Sequence, residues 1–357
     1  MKQIIFVIGT MGNGGAERVI SILSDKLIKK GYKVLLIAIY GHNVTYDIND
    51  KIEYIPLECK SKNKIFRVIE RVYRLRKIFK ENKKTKIVSF LADVNIYSII
   101  SNIFIENTII ISERNDPKMD PKSKKIRMIR DYLYRFADGI VFQTNDAKEY
   151  FSNKINKKGI IIKNPIKDGL PFVDDNVKNN EIVAIGRLSE QKNYPLMIEA
   201  FSRLVYEYED YELIIYGEGP QEKNLKELVN EKNLNDKVKF LGFKKDIHDR
   251  IIKSKIFIMS SDYEGISNSM LEAMAMGLPV ITTDYSGGGA RETIKNYENG
   301  LLIKVKDCDD MYNKIKLLIE NKNLYDRISI NSRKIRYELN PENVATQWIN
   351  YISEIGI

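Results

Sequence analysis

Residues Lys255–Asp284 read KIFIMSSDYEGISNSMLEAMAMGLPVITTD. The apolar run KIFIMSS predicts a buried strand, NSMLEAMAMG a helix, and PVITTD a second strand. A strand, a loop, a helix and a strand in that order is the repeating unit of a parallel sheet. Glu264 and Glu272 bracket a glycine, two serines and an asparagine at the mouth of a helix that is otherwise nearly all apolar. Ser269-Met-Leu-Glu272 matches a capping box, which gives Glu272 a structural role. Gly277 and Pro279 are ordinary helix stops. Glu264 and Gly265 have no part in that cap. A carboxylate after a strand accepts hydrogen bonds from vicinal hydroxyls, and the free N–H groups of a helix start favour a phosphate.

Outward from this stretch the same alternation runs through the chain. Strand candidates in the first half are QIIFVIG, YKVLLIAIY, IEYIPL, KIVSFL, TIIISE, GIVFQT and GIIIKNP. In the second half they are EIVAIGR, YELIIYG, VKFLGF, KIFIMSS, PVITTD and NGLLIKV. Most are continuous Ile- and Val-rich runs, as strands covered on both faces must be. Helical patterns such as AERVISILSDKLIKKG and PLMIEAFSRLVYEYE separate most of them, which implies α/β architecture with two doubly wound, Rossmann-like parallel sheets. The polar stretch IKDGLPFVDDNVKNN, Ile166–Asn180, reads as the connection between the two series. The expected domains are residues 1–165 and 166–341, with a C-terminal helix over 342–357 packing back on the first. Two facing sheets of this kind make a cleft, and ligands bind beyond the carboxyl ends of the strands.

At 357 residues, 43% apolar and 30% charged, the chain has the composition of a soluble globular protein with room for two cores. The opening run MKQIIFVIG is too short for a membrane span. Cys59 and Cys308 form no spaced cluster, and His42 and His248 lack metal-ligand spacing, so no metal is expected and the setting suits a reducing cytoplasm. Residues 1–165 carry 32 Lys and Arg against 17 Asp and Glu, and the remainder is mildly acidic. Such asymmetry turns the first half toward an anionic surface. Lys60–Lys84 places Ile65, Val68, Ile69, Val72, Leu75 and Ile78 among many cations, the pattern of a basic amphipathic helix. The same pattern also describes a solvated helix with its apolar side in the core. A second basic run, PKSKKIRMIRDYLYR, follows later.

Two further loops follow strands. GTMGNGGAER, Gly9–Arg18, opens the first helix; closely spaced glycines there let backbone N–H groups reach a phosphate, although a plain glycine turn reads equally well. The next strand ends IAIYGHN without an acid for a ribose, which disfavours a nicotinamide cofactor. GRLSEQKNY, Gly186–Tyr194, offers Arg187 and Lys192 to a diphosphate, or else two surface cations.

EGISNSMLEAMAMGLPVI resembles the signature of the retaining glycosyltransferases of family four, which have the GT-B fold and two glutamates with seven residues between them, as Glu264 and Glu272 have here. GGAER, GRLSEQKN, YGEGP and NGLLI match the family in the same order. The resemblance implies that Glu272 accepts from nucleotide ribose hydroxyls and that Glu264 contacts the donor sugar near its anomeric carbon. It gives Arg187 and Lys192 the leaving diphosphate, with Gly14 and Gly15 approaching that group from the other domain. Gly265, Ile266, Ser267, Asn268, Ser269, Met270 and Leu271 form the helix start that meets the phosphate. Phe243 lies where the base is held, and Asn164, in KNPI, lines the cleft. Many relatives have an acceptor-side histidine after a first-domain strand. Here the loop is ISERNDP, so Glu113, Arg114 and Asn115 stand on the acceptor side, in a motif common in enzymes that extend bacterial surface glycans.

The implied activity is metal-independent, retaining transfer of a sugar from a UDP-linked donor to a lipid-linked glycan. The expected location is cytoplasmic, peripheral on the inner face of the membrane, with no nucleic-acid partner and no cofactor beyond the donor. A nucleotide-sugar epimerase of similar architecture, and a non-catalytic protein that binds membranes or polyanions, are the alternatives.

Overall fold

The computed structural model describes residues 2–12, 14–41, 44, 48–173 and 178–356. His42 and residues 174–177 of the presumed connection therefore lie outside the described residues. The chain forms two compact units, one of Met1–Pro165 with Pro341–Ile357 and the other of Ile166–Asn340.

The first unit runs β1 (Gln3–Ile8), α1 (Gly15–Lys29), β2 (Lys33–Ala38), β3 (Glu53–Pro56), α2 (Lys64–Glu81), β4 (Lys86–Phe90), α3 (Ala92–Asn102), β5 (Thr108–Ser112), α4 (Lys124–Leu133), β6 (Gly139–Phe142), the short α5 (Asn145–Glu149) and α6 (Asn153–Asn156), and β7 (Gly159–Ile161). Its described sheet has the order β3-β2-β1-β4-β5-β6-β7, and every pairing is parallel. Apolar side chains of its strands, among them Ile5, Val7, Ile37, Ile87 and Ile111, pack on Leu75, Phe79 and Tyr134 from the helices. The last helix, Pro341–Glu354, belongs to this unit. Its Trp348 is fully buried 5.4 Å from the Phe90 ring, and its Tyr351 hydroxyl accepts from the Ile140 N–H at 2.8 Å.

The second unit runs β8 (Glu181–Ile185), α7 (Tyr194–Leu204), β9 (Glu212–Tyr216), α8 (Glu222–Glu231), β10 (Val238–Phe240), α9 (Ile247–Ile251), β11 (Ile256–Met259), α10 (Asn268–Met276), β12 (Val280–Thr283), β13 (Leu301–Ile303), α11 (Cys308–Glu320), α12 (Lys322–Ser332) and α13 (Ile335–Glu338), and the last helix of the chain is α14. This sheet has the order β10-β9-β8-β11-β12-β13, again parallel throughout. Both sheets are of the Rossmann-like, doubly wound type, because each winds outward in both directions from its first strand.

The described part of the stretch read as a connection is packed rather than loose. Ile166, Leu170 and Val173 are buried, and the Ile166 and Val173 N–H groups donate to the Leu339 and Met276 carbonyls at 3.0 and 2.9 Å. The Arg336 guanidinium donates to the Leu170 carbonyl and, at 2.7 Å, to that of Pro171. Irregular backbone is held there by side chains distant in sequence, and no local periodicity announces it.

The basic amphipathic helix is α2, and it buries only part of its apolar face. Leu75 and Phe79 enter the core, whereas Ile65, Phe66, Val68, Ile69 and Tyr73 are exposed, Ile65 at 71% and Phe66 at 63%. Nearby α4, with α3 packed between it and α2, likewise exposes Ile126, Met128, Ile129 and Tyr132.

Candidate active site

Strand order in the second unit reverses between β8 and β11, the place where an open parallel sheet binds its ligand. The loops that follow these strands, 186–193 and 260–267, are joined by a set of hydrogen bonds. Ser260 Oγ donates to the Lys192 and Asn193 carbonyls, each at 2.8 Å. Gln191 Nε2 donates to the Tyr263 carbonyl at 2.8 Å, and the Asp262 N–H donates back to the Gln191 carbonyl at 2.9 Å. Asn193 takes a left-handed conformation, which asparagine tolerates, and its Nδ2 reaches Asp262 Oδ1 at 2.9 Å.

This frame brings Lys192 to Glu264. Lys192 Nζ donates to Glu264 Oε1 at 2.6 Å, and Ser261 Oγ donates to Oε2 at 3.2 Å. The two side chains are 14% and 18% exposed, so the pair is largely desolvated yet reachable. Arg187, at the start of the same loop, is exposed and makes no side-chain hydrogen bond or ion pair among the described residues. Two glycines set the backbone around the pair. Gly217 of YGEGP has φ +133, and a Cβ there would lie 2.0 Å from the Gly186 carbonyl oxygen. A Cβ on Gly289 would lie 2.0 Å from the carbonyl oxygen of Gly265, so the GGG turn supports the glutamate loop from behind.

The start of α10 differs from the capping-box expectation. Its N-cap is Ser267, whose Oγ accepts from the Met270 N–H at 3.4 Å. Ser269 Oγ instead donates to the Ile185 carbonyl at 3.2 Å, fastening the helix start to the end of β8. The Leu271 N–H closes the first helical bond, to the Ser267 carbonyl at 3.1 Å. Met270 and Leu271 side chains are fully buried, and Ile266 is nearly so. Glu272 does not cap. It is 7% exposed, and its Oε2 lies 2.8 Å from His248 Nε2 on α9. Phe243, past the end of β10, is 45% exposed, and its N–H donates to Glu218 Oε1 at 3.4 Å.

In the first unit the order reverses between β1 and β4. Gly14 is the N-cap of α1 and Gly15 its first residue; no side chain caps the helix. The Glu17 carboxylate lies over Gly14, and burial pushes Glu17 up to about 7. After β5, Glu113 is 1% exposed; its Oε2 accepts from the Tyr134 hydroxyl at 2.8 Å and its Oε1 from the Arg114 N–H at 3.3 Å. Burial pushes Glu113 up to about 7 as well, against the nearby Arg130 cation. The Arg114 guanidinium lies beside the neighbouring Phe90 and Trp348 rings, 5.1 and 5.3 Å from their centres, and burial brings it down to about 9. Its Nη1 donates to Asn164 Oδ1 at 3.0 Å, and Gln143 Nε2 donates to the same oxygen at 2.7 Å. Asn164 is thus grouped with Glu113 and Arg114, in a different unit from Glu264 and Glu272. Asn115 Oδ1 accepts from the Asp116 N–H at 2.9 Å and shapes the turn.

Residues 171–335 match the family model of glycosyl transferases group 1. An uncharacterized glycosyltransferase of Methanocaldococcus jannaschii is 31% identical over 302 residues, which span 74% of this chain and 71% of that protein. The chain belongs to the group 1 glycosyl transferases. A Campylobacter jejuni protein, GalNAc-alpha-(1->4)-GalNAc-alpha-(1->3)-diNAcBac-PP-undecaprenol alpha-1,4-N-acetyl-D-galactosaminyltransferase, is 27% identical over 99% of both chains. Among solved structures, Anabaena HepE in complex with UDP-glucose superimposes with a TM-score of 0.83 at 17% identity, covering 99% of this chain and 100% of that one. The architecture is the GT-B fold of two Rossmann-like α/β sheets. In this glycosyltransferase the Lys192–Glu264 pair, Arg187 and the start of α10 all follow the carboxyl ends of β8 and β11, at the sheet's switch position. That combination suits a sugar joined to a phosphate.

Proposed function

We propose that this glycosyltransferase moves a hexose from a UDP-linked donor, with retention of configuration, to a lipid-diphosphate-linked glycan at a membrane surface. The observation that carries the reading is the Lys192–Glu264 pair, 2.6 Å apart at the β8/β11 switch point. Glu264 faces the sugar near its anomeric carbon, and Glu272 accepts from the ribose hydroxyls. Arg187, Lys192 and the N–H groups at the start of α10 meet the diphosphate. As the sugar–phosphate bond breaks, positive character grows at the anomeric carbon and negative charge on the departing oxygen. Fixed donors aimed at that oxygen stabilise the transition state more than the ground state. The acceptor oxygen bonds to the anomeric carbon on the face the phosphate leaves, and its proton passes to the leaving phosphate oxygen. These protein groups supply the countercharge without a divalent cation.

The first unit is assigned to the acceptor, with Glu113, Arg114 and Asn115 on that side. Its exposed apolar residues on α2 and α4 stand among Lys64, Lys77, Lys124 and Lys125, all exposed. An apolar face rimmed by cations suits an anionic membrane interface, where a lipid-linked acceptor resides. Support for such an acceptor also comes from the undecaprenol-linked substrate in the name of the Campylobacter jejuni relative.

The test is a panel of nucleotide sugars by thermal shift, followed by transfer assays onto undecaprenyl-diphosphate glycans with analysis of the product's anomeric configuration. A UDP-hexose that raises Tm and yields an α-linked product from an α-linked donor is the expected result. Stabilisation by no UDP-sugar, an inverted product, or epimerised donor without transfer would overturn it.

A further inference from the structure

His248 is one of two histidines in the chain, and nothing in the transfer chemistry requires it. Its place is nevertheless specific. It sits on α9, a helix of five residues anchored by the buried Ile251, and is 8% exposed. Its Nε2 meets Glu272 Oε2 at 2.8 Å, and Glu272 is itself 7% exposed. A carboxylate held away from water needs donors. With Glu272 ionised its carboxylate only accepts, and His248 Nε2 is then the donor of this bond. The bond fixes one carboxylate oxygen, and with it the plane of the group and the direction in which the other oxygen accepts. The neighbouring carboxylate of the motif, Glu264, is held differently, by a lysine and a serine. Each glutamate therefore has its own support, drawn from a different element.

We propose that His248 is a positioning residue for the nucleotide: its Nε2–H holds the Glu272 carboxylate in the orientation that accepts from the ribose hydroxyls. The proposal rests on the reading of Glu272 given above. A pre-oriented acceptor loses less freedom when the ligand arrives, so the effect falls on affinity and not on the chemical step.

The experiment titrates UDP calorimetrically into the full chain and its variants, beside steady-state kinetics and thermal melts. Glutamine places an amide nitrogen near the position of Nε2, whereas asparagine is too short to do so. His248→Gln is expected to bind UDP nearly as the native chain does. His248→Asn and His248→Ala are expected to bind about tenfold more weakly, the scale of a hydrogen bond to a charged group. KM for the donor should rise by a similar factor while kcat at saturating donor stays within about twofold. In a Glu272→Gln background, His248→Asn should add little, since the group it orients is already altered. Asparagine and glutamine variants that fold and bind alike would overturn the positioning role, as would a full additional loss in the Glu272→Gln background. Unchanged UDP affinity in Glu272→Gln alone would overturn the ribose assignment of Glu272 and the role of His248 with it. Weakened binding there beside a silent His248→Asn would overturn His248 alone.

Discussion

Lys192 Nζ and Glu264 Oε1 lie 2.6 Å apart, joining two loops that are 72 residues distant in sequence. Each side chain is more than four-fifths buried, so the pair is neither a surface ion pair of little consequence nor a fully sequestered one. On the proposed reading, a phosphate arriving beside Lys192 would compete with Glu264 for the ammonium and leave the carboxylate freer to meet sugar hydroxyls.

Substitution of the cations should separate these contributions. Arg187→Ala removes an exposed group with no side-chain partner among the described residues and should cost about 2–4 kcal/mol of transition-state stabilisation, by analogy with a lost oxyanion donor. Lys192→Ala should cost at least as much, because it also leaves Glu264 without its cation. The measurement is kcat/KM, with a melt to confirm folding. Activity should persist in EDTA; loss of activity in EDTA with recovery on adding magnesium or manganese would refute a metal-free mechanism.

The two glutamates should fail differently. Glu264→Gln keeps shape but removes the charge that the proposed function sets beside the anomeric centre, so it should lower kcat with a small change in donor affinity. Glu272→Gln, buried against His248, should weaken donor binding with a smaller change in kcat. Donor titration and saturation kinetics on the two variants check this. If both leave turnover and affinity intact, the pair has no role in the reaction.

Most strands were legible because sheets covered on both faces demand Ile- and Val-rich runs, and each apolar run named from the sequence contains a strand. The two loops at the β8/β11 switch were legible because a parallel sheet puts chemistry after its strands. What local pattern could not reveal was decided by tertiary contacts. Ser269-x-x-Glu272 has the spacing of a capping box, yet Ser269 bonds to β8 and Glu272 to His248, so Ser267 becomes the cap. His248 lies 24 residues before its partner, on a helix too short to show periodicity. Glu17 is an ordinary first-turn acid by sequence, and only the structure lays its carboxylate over Gly14.

Glu113 offers a test through pH. Burial raises it from the ordinary 4.5 to about 7, so the folded state holds this proton more tightly than the unfolded one. Its contribution to stability is therefore complete below pH 4.5 and is lost as pH rises to about 7. Glu113→Gln keeps an acceptor for Tyr134 and cannot ionise. Relative to the native chain, the variant should gain stability progressively as pH climbs through that window. Denaturant melts at pH 5 and pH 8 measure the difference; an equal offset at both values would contradict the tight proton.

The final test concerns α2. Among its arginines, Arg71 lies over the Tyr40 ring, 4.6 Å from its centre, and Arg74 pairs with Glu70 at 2.8 Å. Reversing their charge would disturb the first unit itself. Ile65, Phe66 and Ile69, in contrast, lie on one exposed face, and Lys124 and Lys125 lie exposed on α4. Ile65→Ser, Phe66→Ser and Ile69→Ser together remove apolar area without opening the core. Lys124→Glu with Lys125→Glu removes charge worth roughly 1 kcal/mol per cation near an anionic surface. The native chain should co-sediment with anionic vesicles more than with neutral ones. Raising salt from 0.1 to 1 M should weaken the lysine contribution, since the Debye length falls from about 10 to about 3 Å. The apolar contribution should survive that change. Each set should release the protein while UDP titration stays unchanged, because neither lies in the second unit. Equal binding to neutral and anionic vesicles, or release only when UDP binding is also lost, would remove the membrane from the proposed function.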